Sequence, residues 1–353
     1  SFVPRLRPDL CGTFPAMIAW DTAYGRIEGI TGHSRYRNGA LKSCMVNREN
    51  QLETPVGLLV PQYRAPGFGE RQKKHRSSLD FYESGRIKGI ALDKRMPVRT
   101  PMGLIPAELV TFYPDGAVNR IFPLNGKIDG FWSEANERGI AEPIEFDLPV
   151  GRFNAKVISI RFYPGGNVKA VAVWPGEVMR LGTPLGPVDA RAGFSLYEDG
   201  SVRSVEPARP TDVPTPCGPV KAFDPDIIGM HADRNSLRFD EAGRLSSLKT
   251  IHSGLRARDA SGREIQLQPQ EAKSLIDPSQ TRTVPMEIAF DREVVRVNAG
   301  ETHEFRRAEW GFTTFGKEIV LHEVCADCPG DETCCKSGGE AGAGGCSGCA
   351  ARV

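Results

Sequence analysis

The residues with the clearest capacity for chemistry are cysteines near the end of the printed chain. Six of the nine cysteines fall in one short segment: Cys325, Cys328, Cys334, Cys335, Cys346 and Cys349. Two Cys-x2-Cys pairs, separated by residues 329–345, match the spacing typical of four-thiolate metal sites. Each pair offers two sulfurs from one side, so the two pairs together can surround zinc or hold an iron–sulfur cluster. The segment therefore predicts a metal or cluster site.

Two features distinguish this segment from a plain zinc ribbon. Cys334 and Cys335 supply additional or exchangeable thiolates, and the Gly-rich stretch 337–345 cannot form the strands that a ribbon needs. These features favour an iron–sulfur cluster, a multi-metal thiolate site or transient metal handling. His322 could add a ligand, but its alternation with its neighbours is that of an ordinary strand residue. The alternative is a metal-free, redox-sensitive appendage, because Gly-rich segments cannot repay their ordering entropy without a ligand.

A second candidate for binding is a basic run that follows Gly69. Its charged members are Arg71, Lys73, Lys74 and Arg76, and such a run can contact an acidic partner. The surrounding residues 61–78 lack periodicity and contain Pro, Gly and charge, which predicts a long loop that is either solvated or ordered by a partner.

Repeated β-hairpins are the elements that would have to carry these residues. One short phrase recurs about seven times. It consists of an aromatic residue or Leu, a Tyr or Phe, two turn residues, a Gly, any residue and an aliphatic residue. Good copies are residues 81–87, 112–118, 162–168 and 196–202, with looser or truncated ones at 24–27, 36–41 and 239–245. Apolar residues alternate on both sides of each turn, and the Gly can take the positive φ of a turn with a bulge. Each copy therefore predicts a hairpin.

A second phrase, Thr-Pro-x-Gly, lies between these hairpins at residues 54–57, 100–103, 183–186 and 215–218. Because Pro cannot donate to a strand ladder, we expect each phrase to mark a corner between one hairpin and the next strand. Cys217 replaces the Val, Met or Leu of the other copies, which indicates a small buried apolar residue rather than a ligand. The tyrosines that recur once per hairpin favour a cross-strand ladder over a ligand-binding surface.

The Tyr, two-residue turn, Gly unit, together with GKIDGFW at 126–132, resembles the MORN-like hairpin repeats found in many bacterial proteins. The resemblance covers patches of residues 20–250. The chain lacks the dense glycines of the strict MORN pattern, so no lipid contact is carried over. The resemblance implies an elongated, solenoid-like sheet of stacked hairpins with a binding or scaffolding role, and it implies no enzyme.

The repeats and the composition shifts divide the chain into four segments. We expect an all-β hairpin array over residues 1–250 and a linker with one short helix, near 271–276, over 251–283. A small β module over 284–324 and a Cys-rich tail over 325–353 follow, with module strands predicted at 286–290, 294–297, 303–310 and 318–324.

Composition excludes several classes of function. Lys and Arg total 45 against 44 Asp and Glu, so no net field attracts nucleic acid. No apolar run approaches the roughly 20 residues of a membrane span. The first residues lack the apolar core and cleavage site of a signal peptide, which favours a cytoplasmic location, and clustered cysteines in a cytosolic chain indicate metal rather than disulfides. We expect a non-enzymatic scaffold or accessory protein that binds a protein partner, such as a metalloenzyme, and holds metal in its tail. The alternatives are a plain interaction module with a metal-free thiol tail and an electron-transfer enzyme, which would need a second redox centre.

Overall fold

A computed structural model describes residues 18–67, 69–74, 77–227, 234–273 and 281–317. All of these residues belong to one compact unit, which ends at Lys317. The described part of the chain is nearly all β-structure, as the repeats predict. The predicted strand 318–324, the Cys-rich tail with its six cysteines, and Arg76 lie outside the described residues.

The first nine strands precede the single helix found in these ranges. They are Ile18–Thr22 (β1), Gly25–Arg35 (β2), Leu41–Val46 (β3), Leu52–Thr54 (β4), Gly57–Leu59 (β5), Leu79–Phe81 (β6), Ile87–Thr100 (β7), Gly103–Phe112 (β8) and Val118–Phe122 (β9). The helix is Glu134–Gly139 (α1), and Ser133 caps its N-terminus. None of the described helical structure has the length and apolarity that crossing a bilayer requires.

The remaining strands follow the helix. They are Pro143–Leu148 (β10), Gly151–Phe162 (β11), Val168–Val173 (β12), Met179–Thr183 (β13), Gly186–Leu196 (β14), Val202–Pro207 (β15), Thr211–Thr215 (β16), Gly218–Ala222 (β17), Leu237–Phe239 (β18), Leu245–Thr250 (β19), Ser253–Asp259 (β20), Glu264–Leu267 (β21), Gln270–Lys273 (β22), Thr281–Val284 (β23), Met286–Phe290 (β24), Val294–Asn298 (β25), Thr302–Arg306 (β26) and Trp310–Gly316 (β27).

Eighteen strands form one antiparallel sheet. Its hydrogen-bonded order is β1, β2, β3, β6, β7, β8, β9, β11, β12, β14, β15, β18, β19, β24, β25 and β26, while β10 and β13 join the outer ends of β11 and β14. Strands that neighbour each other in the sheet are mostly close in sequence. The chain therefore builds the sheet one hairpin at a time.

The predicted Tyr-x-x-Gly hairpins are confirmed. In the turn between β8 and β9, the Tyr113 N–H donates to the Ala117 carbonyl at 2.8 Å, and Gly116 has a φ of +95°. Asp115 accepts the Ala117 N–H at 2.9 Å. A register shift beside each turn leaves one residue of the following strand in a bulge, as a turn with a left-handed Gly requires.

The Thr-Pro-x-Gly phrases differ from the expectation of corners between hairpins. Each one is the tip of a hairpin of its own, joining β4–β5, β7–β8, β13–β14 and β16–β17. In the second tip the Thr100 hydroxyl donates to the Gly103 carbonyl at 2.8 Å and accepts the Met102 N–H at 3.0 Å. The Thr side chain closes a two-residue turn and the Gly supplies a φ of +104°, so the chain reverses within the phrase.

The core lies between the sheet and these tips. One apolar row crosses thirteen consecutive strands of the sheet, and none of its members is more than 1% exposed: Cys44, Leu79, Ile90, Val110, Ile121, Ile160, Val171, Phe194, Val205, Leu237, Leu248, Ile288 and Val297. Residues from the tips, including Val56, Val98 and Val213, pack into the same cluster. The proline of the second tip also contacts a Tyr turn, since a Cβ added at Gly166 would lie 3.2 Å from Pro101 Cγ.

The segment after residue 250 is built differently from the expected linker and separate module. Residues 270–273 form a strand that pairs with β23, where the sequence suggested a short helix. β24 pairs with β19, so the strands predicted at 286–290 and 294–297 continue the large sheet. The reason is the apolar row, because Ile288 and Val297 extend the same buried face and need a sheet neighbour to cover it.

Candidate functional site

The second face of the sheet carries a row of polar and cationic residues. Register pairs place Ser43, Asp80, Gly89, Thr111, Arg120 and Arg161 side by side on six successive strands, from β3 to β11. Each of them is one residue away in sequence from a member of the buried apolar row. Alternation along a strand therefore turns these side chains away from the core and onto one shared surface.

Five tyrosines link neighbouring hairpins on this side of the sheet, and we refer to them as the tyrosine ladder. Each hydroxyl donates to a backbone carbonyl in the next hairpin. The acceptor is the residue immediately before the position that corresponds to the tyrosine. The bonds are Tyr36 to Phe81, Tyr82 to Phe112, Tyr113 to Phe162, Tyr163 to Leu196 and Tyr197 to Phe239, at 2.7 to 2.9 Å. Burial raises the pKa of Tyr82 and of Tyr113, which keeps these donors protonated. The ladder predicted from the sequence is thus a chain of hydrogen bonds between repeats.

Cations cover the rings of the ladder. A Lys or Arg six residues after the tyrosine lies over its ring in four of the five repeats, at 4.9 to 5.8 Å from the centroid: Lys42, Lys88, Lys169 and Arg203. In the third repeat this position is Asn119, and the next residue, Arg120, lies over Phe122 at 4.6 Å. Such contacts hold a cation on an aromatic surface without removing its charge.

Some of these residues, on β3 to β11 and the turns beside them, line a groove on the sheet face, which we call the cation groove. Its volume is 720 Å³, and its lining includes Tyr36, Lys42, Asp80, Tyr82, Lys88, Thr111, Arg120 and Arg161. Four of these side chains are cationic and one is a carboxylate. Gly89 is part of the floor and leaves it without a side chain. The groove can therefore hold an anion against several cations and hydroxyl groups.

The basic run predicted from the sequence has another role in its described part. The Lys73 ammonium is half-buried and donates to the Asp93 carbonyl at 2.8 Å. Arg71 is inside an ion-pair cluster, and only Lys74 is exposed. Two cations of the run are thus used within the fold, while partner binding by the run stays a prediction.

The Arg71 cluster ties two loops to the sheet. The guanidinium donates to both carboxyl oxygens of Glu108, at 2.9 and 2.8 Å, and to both of Glu137, including Nε to Oε2 at 2.6 Å. Trp132 and the Gly126 N–H also donate to Glu137, each at 2.7 Å. Burial alone would raise the pKa of Glu137, but these hydrogen bonds and the charge of Arg71 outweigh it and lower the pKa.

A second buried carboxylate is Glu206 on β15, which lies opposite Arg191 of β14, and the charge of Arg191 lowers its pKa only in part. Glu206 accepts the backbone N–H groups of Asp224 and Ser236 at 3.1 and 2.7 Å. Burial dominates over these bonds and raises the pKa of Glu206 to about 7. This group therefore titrates near neutral pH inside the fold.

The described cysteines are structural. Cys44 and Cys217 are at most 2% exposed, and burial raises the pKa of both thiols to about 12. The interpretation of Cys217 as a small buried apolar residue is confirmed. Within the described ranges, no group of three or more His, Cys, Asp or Glu side chains is arranged to hold a metal ion.

The fold and the groove define a class of protein, an all-β hairpin-repeat protein with a cationic sheet face. No protein-family profile matches the chain, and no curated protein matches it. Sequence reasoning missed the groove, although a signal was present, since a cation follows the repeat tyrosine at the same distance in Lys42 and Lys88, which line the groove, and again in Lys169 and Arg203 of later repeats.

Proposed function

We propose that this protein is a non-enzymatic scaffold or accessory protein that holds a protein partner on its hairpin sheet and binds a metal ion or iron–sulfur cluster in its Cys-rich tail. The observation that carries the metal part is the pairing of Cys325 with Cys328 and of Cys346 with Cys349 at four-thiolate spacing. Thiolate binding would supply the folding free energy that the apolar content of a Gly-rich segment cannot.

The scaffold part is supported by how the sheet is built. Hydrogen bonds of the tyrosine ladder join each hairpin to the next, which favours a rigid platform with one polar face. A solenoid-like stacking of the repeats belongs to this proposal, because repeat arrays present extended surfaces of this kind. A metalloenzyme is the partner that a metal-holding accessory protein would serve.

The experiment is a measurement of metal and acid-labile sulfide, with a visible spectrum, on the full chain purified without oxygen. We expect iron with sulfide, or zinc, bound to the wild-type protein and lost from a Cys325→Ser, Cys328→Ser double variant. Cys217→Val is the matched control, because Val56 occupies the same position of another tip and is also buried. It should keep the metal.

A wild-type chain without metal or sulfide, before and after anaerobic reconstitution with iron and sulfide or with zinc, would contradict the metal proposal. The second candidate function would then apply, an interaction module whose tail carries metal-free, redox-sensitive thiols. The cation groove favours this candidate, because all of its lining residues lie outside the tail.

A further inference from the structure

We propose that the cation groove is the binding site for an acidic, extended peptide segment of a protein partner. This inference rests on the proposed scaffold role of the sheet and does not depend on metal in the tail. It assigns the partner a chemistry, a row of carboxylates on a strand-like segment, and it assigns the site to Lys42, Lys88, Arg120 and Arg161.

Charge complementarity is the first argument. The four cations lie on β3, β7, β9 and β11, and the lining contains a single carboxylate, Asp80. The chain as a whole has a formal net charge of only +1, so this excess on one face is local. Clefts lined by one sign of charge attract ligands of the other sign.

The length of the groove is the second argument. Its lining spans six neighbouring strands, and strands lie about 4.8 Å apart, so the cations are distributed over about 24 Å. A single small anion would engage only one part of this row. An extended peptide advances about 3.4 Å per residue, so a segment of about seven residues matches the row.

The floor of the groove has no side chain at Gly89, a buried position between the neighbouring strands. Gly89 lies between Asp80 and Thr111 on the neighbouring strands, and a Cβ added there would meet them only at 3.6 and 3.8 Å. Its φ lies outside the left-handed region, so a side chain could be accommodated at this position without backbone strain. The hydroxyl groups of Ser43 and Thr111 face the same space and can bind a main chain.

Two features favour carboxylates over a nucleic acid. The tyrosine rings that could stack on bases are covered by ammonium groups, with Lys88 at 5.7 Å from the Tyr82 ring centroid. Acidic groups also lie beside the row, since the charge of Asp115 contributes to the raised pKa of Tyr82. A continuous line of phosphates would be repelled there, whereas spaced carboxylates can avoid it.

The test is a fluorescence-anisotropy titration of the full chain with a labelled peptide of about ten residues in which Glu alternates with Ser. A peptide with Gln in place of Glu is the ligand control. We expect binding of the Glu peptide that weakens as salt rises. Charge reversal by Lys88→Glu should weaken it at least about tenfold, and Gly89→Leu should weaken it by filling the floor.

Lys74→Glu and Lys94→Glu are the matched controls, because both lysines are exposed and neither lines the groove. They should bind the peptide like the wild type. Thermal unfolding of each variant establishes that it is folded, and Lys88 is suited to this test because its side chain is exposed.

The proposal is overturned if the Glu peptide does not bind, if the groove variants bind like the wild type, or if Lys74→Glu weakens binding as much as Lys88→Glu. It is also overturned if single-stranded DNA or vesicles with anionic lipid bind at the groove and the peptide does not. Metal content measured on the same preparations separates the two proposals. A metal-free chain that binds the peptide refutes the tail site and leaves the groove.

Discussion

Replacing Arg71 by Met would remove the charge at the centre of the buried ion-pair cluster and keep much of its volume. The side chains of Arg71, Glu108 and Glu137 are only 17%, 8% and 2% exposed. Without the guanidinium, the two buried carboxylates lose the cation that hydrogen-bonds to both of them, and breaking a buried pair in this way costs about 3 to 5 kcal/mol. We therefore expect a loss of about 3 to 5 kcal/mol in the free energy of unfolding at neutral pH.

The assay is thermal unfolding followed by circular dichroism. For a unit of this size the loss corresponds to a fall in Tm of about 6 to 10 °C, at about 2 °C per kcal/mol. Lys74→Ala is the matched control from the same basic run, and because Lys74 is exposed its Tm should change by less than about 1 °C. Equal Tm values for the Arg71 and Lys74 variants would refute the reasoning and return Arg71 to the role of a solvated, partner-facing cation.

The pH dependence of this difference has a definite sign. The folded-state pKa of Glu137 is lowered, so the stability that the pair contributes is present above the unfolded pKa and is lost as pH falls. In Arg71→Met, protonation of the buried Glu137 carboxyl breaks no ion pair with residue 71. The difference between the two proteins should therefore be largest near neutral pH and should shrink as pH falls towards about 4. A difference that grows on acidification would contradict this assignment.

Three further outcomes are expected. Tyr113→Phe removes the hydroxyl that donates to the Phe162 carbonyl and should cost about 1 kcal/mol in urea unfolding, and a value near zero would show that water replaces the bond. Because burial raises the folded-state pKa of Glu206 to about 7, stability is fully present below its unfolded pKa of 4.5 and falls as pH rises. Relative to Glu206→Gln, the wild type should lose about 3 kcal/mol between about pH 4 and pH 8, and parallel curves would contradict this. Alkylation of the folded chain should spare Cys44 and Cys217, and modification of either without unfolding would contradict their burial.

The hairpins could be predicted because their signals are local. A Gly that must take a positive φ, an apolar alternation and an Asp that binds its own turn all lie within seven residues of one another, as at residues 112–118. The prediction of corners at the Thr-Pro-x-Gly phrases is wrong, although their signals are equally local. The Pro indicates only a break in the strand ladder, whereas the Thr hydroxyl, which donates to the Gly carbonyl and closes the turn, decides the geometry.

The role of the basic run could not be predicted from local pattern. Arg71 meets Glu108 at a separation of 37 residues and Glu137 at a separation of 66, and neither acid stands out in the sequence. A cation whose acidic partners are distant in sequence has the same local sequence pattern as a solvated loop residue. The groove could be predicted only in part. The repeated spacing from Tyr to cation is local, but the alignment of the groove residues into one row depends on strand register.

The tyrosine ladder and the cation groove share some residues but not others. The stability of the sheet and binding in the groove can therefore be tested separately. Tyr82 both donates to the Phe112 carbonyl and supports the ammonium of Lys88, so its loss should weaken the sheet and the groove together. Lys88 is exposed and donates no hydrogen bond to the ladder, so its loss should affect the groove alone. The ladder ends where Asp240 takes the tyrosine position, because a carboxylate that accepts the N–H groups of its own turn cannot donate onward. The groove is lined by residues from Tyr36 to Arg161, so binding is expected on β3 to β11 and not along the whole ladder.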